Sequence, residues 1–483
     1  LIARRTFRVG PPGLRGAWRG GARHRLPFGL LLAVLLVTTG CTPRYASYGS
    51  VPTRGPDQTA SGGPGPGGSD PAAHAGPRLP AQVTVELSGL RGAAEIRWRG
   101  PDGRPGLAER IGSEVFLNGS ASPAPTRVQG PVALEDRTYD GTLLILPRPE
   151  GGLEARVQVG LEAYVEGVVA SETSIWSATP AELEAQAIAA RTYAVATLRL
   201  RSANGAPALL ADGVMDQAFG GRHTPGTSRR AQEVADRLTR AVAATRGVVL
   251  MRGDRLEEAR YHAACGGHTS DFRDVFRKEV RQRNAVGPTG VSCSPCLRRA
   301  ARESSLGAPD KDRPLGWIEE LSPASLARIG RAFGLPGAPR RIGPARTDAG
   351  GRWIDVALES GDGVVTRIPF EEFRRAAGYG VLRSGAVVAT VPAPSDPLLL
   401  GGWRAQGRGR GHGVGLCQEG ARDLGRAGWS SAAILAHYYP GATLSHPPGR
   451  TARATSRQAQ PSPFQVEAAQ ASAPLTLASA TDP

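Results

Sequence analysis

A mixed α+β fold, with helices packed on small sheets and a β-rich region ahead of them, is predicted by three features of the sequence. Short alternating apolar segments fill residues 81–147: Val83, Val85 and Leu87, then Ile96 and Trp98, then Val115 and Leu117, with Gly, Pro and Asp between them. The period then changes. Leu161, Tyr164, Val165, Val168 and Val169 recur at i, i+3, i+4, i+7 and i+8, one apolar face of a helix. A second helix is announced by Thr179 as N-cap, Pro180 at the first helical position and Glu182 three residues after the cap.

The rest of the organisation follows from composition. A chain of 483 residues with 40% apolar content can bury at least one large core and suggests two or three domains. Residues 1–25 carry seven arginines and no acid, and an apolar run at 28–37 follows, far shorter than the ~20 residues of a membrane span. This reads as an export leader, residues 1–41. Thr38, Thr39, Gly40 and Cys41 resemble a bacterial lipoprotein processing site, so lipidation of Cys41 is expected, with ordinary signal cleavage as the alternative. The protein is then exported, either held on the membrane by a lipid anchor and facing the periplasm or wall, or secreted. Residues 42–80 are rich in Gly, Pro, Ser and Ala and read as a disordered linker, as does the tail at 447–483. Between them lie a β-rich lead-in at 81–150 and the main domain at 151–446.

The net charge is +16, nearly all of it arginine, since the only lysines are Lys278 and Lys311. Such a surface attracts nucleic acid, anionic lipid or anionic wall polymers. No basic run interleaved with aromatics and no nucleic-acid signature is present, so nucleic acid is not expected as a partner.

Glu172 lies four residues after Val168, on the apolar face of the first helix or at its exit. A carboxyl in line with an apolar stripe is partly desolvated, which raises its pKa and lets it hold a proton near neutral pH; a solvated helix end is the other reading. In the second helix Leu183, Ala187, Ala190, Ala194 and Leu198 form a ridge of mostly small residues. Gln186 and Tyr193 share another stripe with Arg191 nearby, so this helix can present amide, phenol and guanidinium groups to a ligand, or simply carry boundary residues.

These stretches resemble the sporulation stage II protein D (SpoIID/LytB) family. The resemblance rests on 161–172 (LEAYVEGVVASE), 184–194 (EAQAIAARTYA), Gln217, Phe219 and Gly221, 242–249 (VAATRGVV), 261–269 (YHAACGGHT), 407–421 (GRGRGHGVGLCQEGA) and 434–441 (ILAHYYPG), in the family's order. It implies a mixed α/β domain with a groove for peptidoglycan glycan strands and, in characterised relatives, lytic transglycosylase activity with Glu172 as the acid. The chemistry needs no cofactor. Gln186, Arg191, Tyr193 and Gln217 are then expected at the substrate. The sequence departs from the family after the acid, with Thr173 and Ser174 in place of Met or Val and Pro, and with one extra residue before Gln186.

Gly409, Gly411, Gly413 and Gly415 alternate around His412, with Gln418 close behind. Glycines at alternate positions let a backbone approach a ligand closely, while His412 and Gln418 can hydrogen-bond sugar hydroxyls. Both are assigned to substrate positioning, with His262 as a further candidate. A phosphate loop is excluded, because the Lys-Ser/Thr ending is missing.

Four further cysteines remain: Cys265, Cys293, Cys296 and Cys417. Disulfides are the default outside the cytoplasm, yet Cys293-x-x-Cys296 with Cys265-x-x-His268 has the spacing of a structural zinc site. A zinc would take Cys265, Cys293, Cys296 and either His268 or Cys417; zinc and disulfides both stay open. Two functions also stay open. One is a glycan-cleaving enzyme, and the other is a non-catalytic glycan-binding module that stimulates a cell-wall amidase.

Overall fold

The computed structural model describes residues 77–446 apart from 214, 284, 307–314 and 393–401; the leader, Cys41, the tail and nearly all of the linker lie outside the described residues. The mixed α+β class expected from the sequence is observed. Among the described residues no helix is long and apolar enough to cross a membrane.

The lead-in builds two sheets. One has five strands in the order Leu210–Ala211, Gln82–Glu86, Leu153–Gly160, Thr142–Pro147 and Thr126–Gln129; the other has six, covering Glu95–Arg99 to Arg137–Tyr139. Alternation decides which face is inside, and Leu153, Ala155, Val157 and Val159 are all buried while the residues between them are only half-buried. Leu153–Gly160 pairs with a neighbour on each edge, so the sheet joins residues on both sides of position 150.

That strand runs directly into helix α1 (Leu161–Glu172), whose predicted apolar face is buried together with Gly167. Thr173 turns extended and ends the helix, leaving Glu172 as its last residue. Helix α2 (Pro180–Ala203) starts with the predicted capping box, Glu182 N–H donating to Thr179 Oγ1 at 3.2 Å and Thr179 N–H to Glu182 Oε2 at 3.4 Å. Its small residues serve both sides: Leu183, Ala187, Ala190 and Ala194 pack on the first core with α1 and α3 (Arg229–Ala244), whereas Ala185, Ile188 and Ala189 pack on a second core.

Next come two short helices, α4 (Phe272–Val275) and α5 (Arg277–Arg283), and then α6 (Ser294–Leu306). A lobe with its own core follows, in which α7 (Pro323–Ala332) and α8 (Phe370–Ala377) cover two three-stranded sheets around Trp353, Trp403, Phe370 and Phe373. The chain then returns to α2. Helices α9 (Gln418–Arg426) and α10 (Ser431–Tyr438) complete the second core beside α6.

Candidate functional site

The end of α1 opens into a cleft of about 560 Å³ lined by Glu172, Tyr193, Arg260, Tyr261, His262, Phe276, His412 and Gln418, among others. Glu172 Oε1 accepts from the Ala218 backbone N–H at 2.7 Å, and Tyr261 and Gln418 bond the same carboxyl through their side chains. Every one of these donors is neutral. Burial is the largest influence and pushes the Glu172 carboxyl above its ordinary value, against the three hydrogen bonds, which favour the charged form. The expected burial of Glu172 and the upward push on its carboxyl are both present.

A chain of buried polar groups stands behind the acid. Tyr164 Oη donates to Gln217 Oε1 at 3.0 Å, and Gln217 Nε2 donates to Tyr261 Oη at 2.8 Å and to the Ala190 carbonyl at 3.3 Å. Because Gln217 Nε2 donates to the tyrosine oxygen, the Tyr261 proton is free to face Glu172. Gln217 is 1% exposed, so it supports the acid from behind rather than meeting a ligand. Gln186 is also buried, its Oε1 accepting from Gln418 Nε2 at 3.5 Å, and its own Nε2 finds no partner among the described residues.

The loop after the acid, where the sequence departs from the family, is fixed by local packing. Thr173 and Ile175 are buried, and Arg237 of α3 donates to the Ile175 carbonyl at 2.8 Å. Tyr193 reaches the cleft, donating to Asp216 Oδ1 at 3.2 Å, and the Arg260 guanidinium lies 5.0 Å from the centre of its ring and 4.5 Å from that of Phe276.

Arg191 requires a correction. It is fully buried, paired with Glu162 at 2.6 Å, and donates to the Val248 and Ala187 carbonyls at 3.0 and 3.4 Å. An unpaired guanidinium could not be buried at this depth, so its charge is committed to joining α1, α2 and the strand at 249–252 rather than to a ligand.

The two histidines do reach the cleft. His262 is pushed down to about 3, first by burial and then by Arg352. It is therefore neutral, and its Nδ1 lies 3.1 Å from the Val414 carbonyl and must carry the proton, which leaves Nε2 as an acceptor with no protein partner among the described residues. His412 is likewise held neutral by burial; its Nδ1 accepts from Val414 N–H at 3.1 Å, so its proton sits on Nε2. One ring offers an acceptor and the other a donor.

The glycine-rich loop also differs from expectation. All four alternating glycines have positive φ, but a Cβ on each would strike this protein's own chain: Ala264 O at 2.5 Å for Gly409, His262 Cβ at 2.8 Å for Gly411, the Arg352 guanidinium for Gly413 and Arg260 O at 2.0 Å for Gly415. Gly409, Gly411 and Gly415 admit the segment at 260–266 and Gly413 admits the Arg352 side chain; none of them makes room for a ligand. Their effect on the cleft is indirect, through His262, Tyr261 and His412.

Sequence reasoning passed over Tyr261, Tyr164 and Arg260. Tyr261 stood in a stretch already singled out, beside His262, but its role depends on Gln217 and Glu172, far off in sequence. Tyr261→Phe is expected to raise the Glu172 pKa further, because a hydrogen bond favouring the carboxylate is lost; a carbon-13 titration of that carboxyl reads the shift.

Residues 149–251, holding α1 to α3 and the acid, match the family model described as SpoIID, stage II sporulation protein. The chain is 27% identical over 296 residues to stage II sporulation protein D of Bacillus amyloliquefaciens, covering 59% of this chain and 74% of that one. It is 26% identical over 308 residues to an uncharacterised protein of Brachyspira hyodysenteriae, covering 63% and 72%. Similarity to an amidase enhancer of Bacillus subtilis is 24% over 312 residues, covering 58% of this chain and 40% of that protein. The region that contains the buried acid thus matches the SpoIID family model, and the chain is similar at modest identity to proteins named stage II sporulation protein D and amidase enhancer.

Proposed function

We propose that this protein cleaves the glycan strands of peptidoglycan as a lytic transglycosylase with Glu172 as its single acid and base. The observation that carries the reading is one carboxyl group, raised in pKa by burial and held by neutral donors at the end of a cleft large enough for sugar rings. A protonated Glu172 gives its proton to the glycosidic oxygen between N-acetylmuramic acid and N-acetylglucosamine as the C1–O bond breaks and its electron pair stays on that oxygen. The C6 hydroxyl of the muramyl residue then attacks C1, and its proton passes to the Glu172 carboxylate, restoring the acid. The products are a 1,6-anhydro end and a free 4-hydroxyl, with no water consumed. Tyr261, Gln418 and Ala218 N–H stabilise the carboxylate between the two steps.

The family's names support a cell-wall role, and the amidase-enhancer relative favours a second reading, in which the same cleft binds glycan and stimulates a cell-wall amidase. Purified protein incubated with peptidoglycan, intact and stripped of stem peptides, separates the two by mass spectrometry of the products. New anhydro-muramyl ends support the enzyme. Co-sedimentation with the glycan and stimulation of an added amidase, without new ends, supports the module. Lipid anchoring through Cys41 and export are proposed with either.

A further inference from the structure

We propose that Cys265, Cys293, Cys296 and Cys417 together bind one zinc ion in a closed, structural site. The four Sγ atoms come from three distant parts of the chain: the segment after His262, the start of α6, and the N-cap of α9. All four lie within 4.8 Å of one another, and none of the residues is more than 2% exposed. Four sulfurs around a zinc at about 2.3 Å stand about 3.8 Å apart along each edge of the tetrahedron. Cys296 Sγ and Cys417 Sγ are 3.6 Å apart. Thiols converging on one point are the arrangement of a single ion, whereas two disulfides would draw them into separate pairs.

The surroundings fit thiolates. Backbone N–H groups of Gly267, Cys265 and Gly420 each donate to a cysteine sulfur at 3.3 Å, and Tyr438 Oη lies 3.2 Å from Cys293 Sγ. Such donors spread the excess negative charge of a four-thiolate site. His268 is not a ligand here: its Nδ1 is engaged 2.6 Å from the Thr269 carbonyl, and the cluster is complete without it. An all-thiolate tetrahedron favours zinc or iron over harder ions, and a closed four-ligand shell leaves no position for substrate, so the ion is structural.

The position gives the ion its purpose. Cys417 immediately precedes Gln418, which bonds Glu172, and Cys265 follows His262 by three residues. One ion thus fastens the segments that carry Tyr261, His262 and Gln418 to α6. The inference is independent of the transglycosylase reading, since it needs only the thiols.

The full chain, purified without chelator, is expected to contain about one zinc per chain by plasma mass spectrometry. Exchange with cobalt should give the thiolate charge-transfer and intense d–d absorption of a tetrahedral site. After chelation and denaturation, alkylation with peptide mapping should find all four cysteines free, and chelation should lower the melting temperature by roughly 10 °C or more. Recovery of these cysteines as two disulfides, or as free thiols with no zinc bound even on addition of the metal, overturns the proposal, and so does iron in place of zinc. Cys296→Ser is expected to lose the metal. Should that variant fail to fold, the metal and thiol counts on the unaltered protein still decide.

Discussion

Replacing Glu172 by Gln is expected to reduce the formation of anhydro-muramyl ends by at least about 10³-fold, the scale of a lost general acid that also serves as the base. The fold should survive, because the position ends α1 and Gln retains an oxygen for the Ala218 N–H. Product mass spectrometry with circular dichroism on the same sample reads both halves. The pH profile carries the sign of the mechanism. With its pKa raised by burial, Glu172 is protonated below that value, so the rate should fall as pH rises through it, along a limb displaced upward from the ordinary carboxylate value of 4.5. In Tyr261→Phe the limb should move further up. Full activity in Glu172→Gln would remove the carboxyl from the chemistry, whereas no new ends from the unaltered protein would leave the module reading in place.

The second large effect concerns folding. Gly415→Ala is expected to destabilise the protein by about 3 kcal/mol or more: about 1 for a side chain at φ 72° and the remainder for a Cβ placed 2.0 Å from the Arg260 carbonyl, which cannot yield without moving the paired strand. Gly428→Ala is the control. It has φ 87° with nothing within 4 Å of the added Cβ, so only the backbone cost of about 1 kcal/mol applies. Urea unfolding of the two variants should separate them by about 2 kcal/mol.

Local features were the legible ones. The apolar face of α1, the capping box of α2 and the placing of Glu172 at a helix exit depend on residues within a few positions of each other, and periodicity reads such patterns directly. Groups whose meaning lies in a distant partner were misread or passed over. Arg191 looked like a ligand donor until Glu162, on another helix, took its charge. The glycines at 409–415 signalled close approach, but not that the approaching bodies are the chain's own segment at 260–266 and the Arg352 side chain. The cysteine spacing suggested a metal, and only tertiary proximity selects Cys417 over His268 as the fourth sulfur or nitrogen.

The strand at 153–160 has a consequence for how the acid can be inherited. It is bonded on one side by Gln82–Glu86 and on the other by Thr142–Pro147, and it passes without a break into the helix ending at Glu172. A fragment cut to the family model's own limits would open two ladders of unpaired amides at the root of that helix. The region before residue 149 is therefore the floor on which the acid stands, and any shuffling of modules must carry it along.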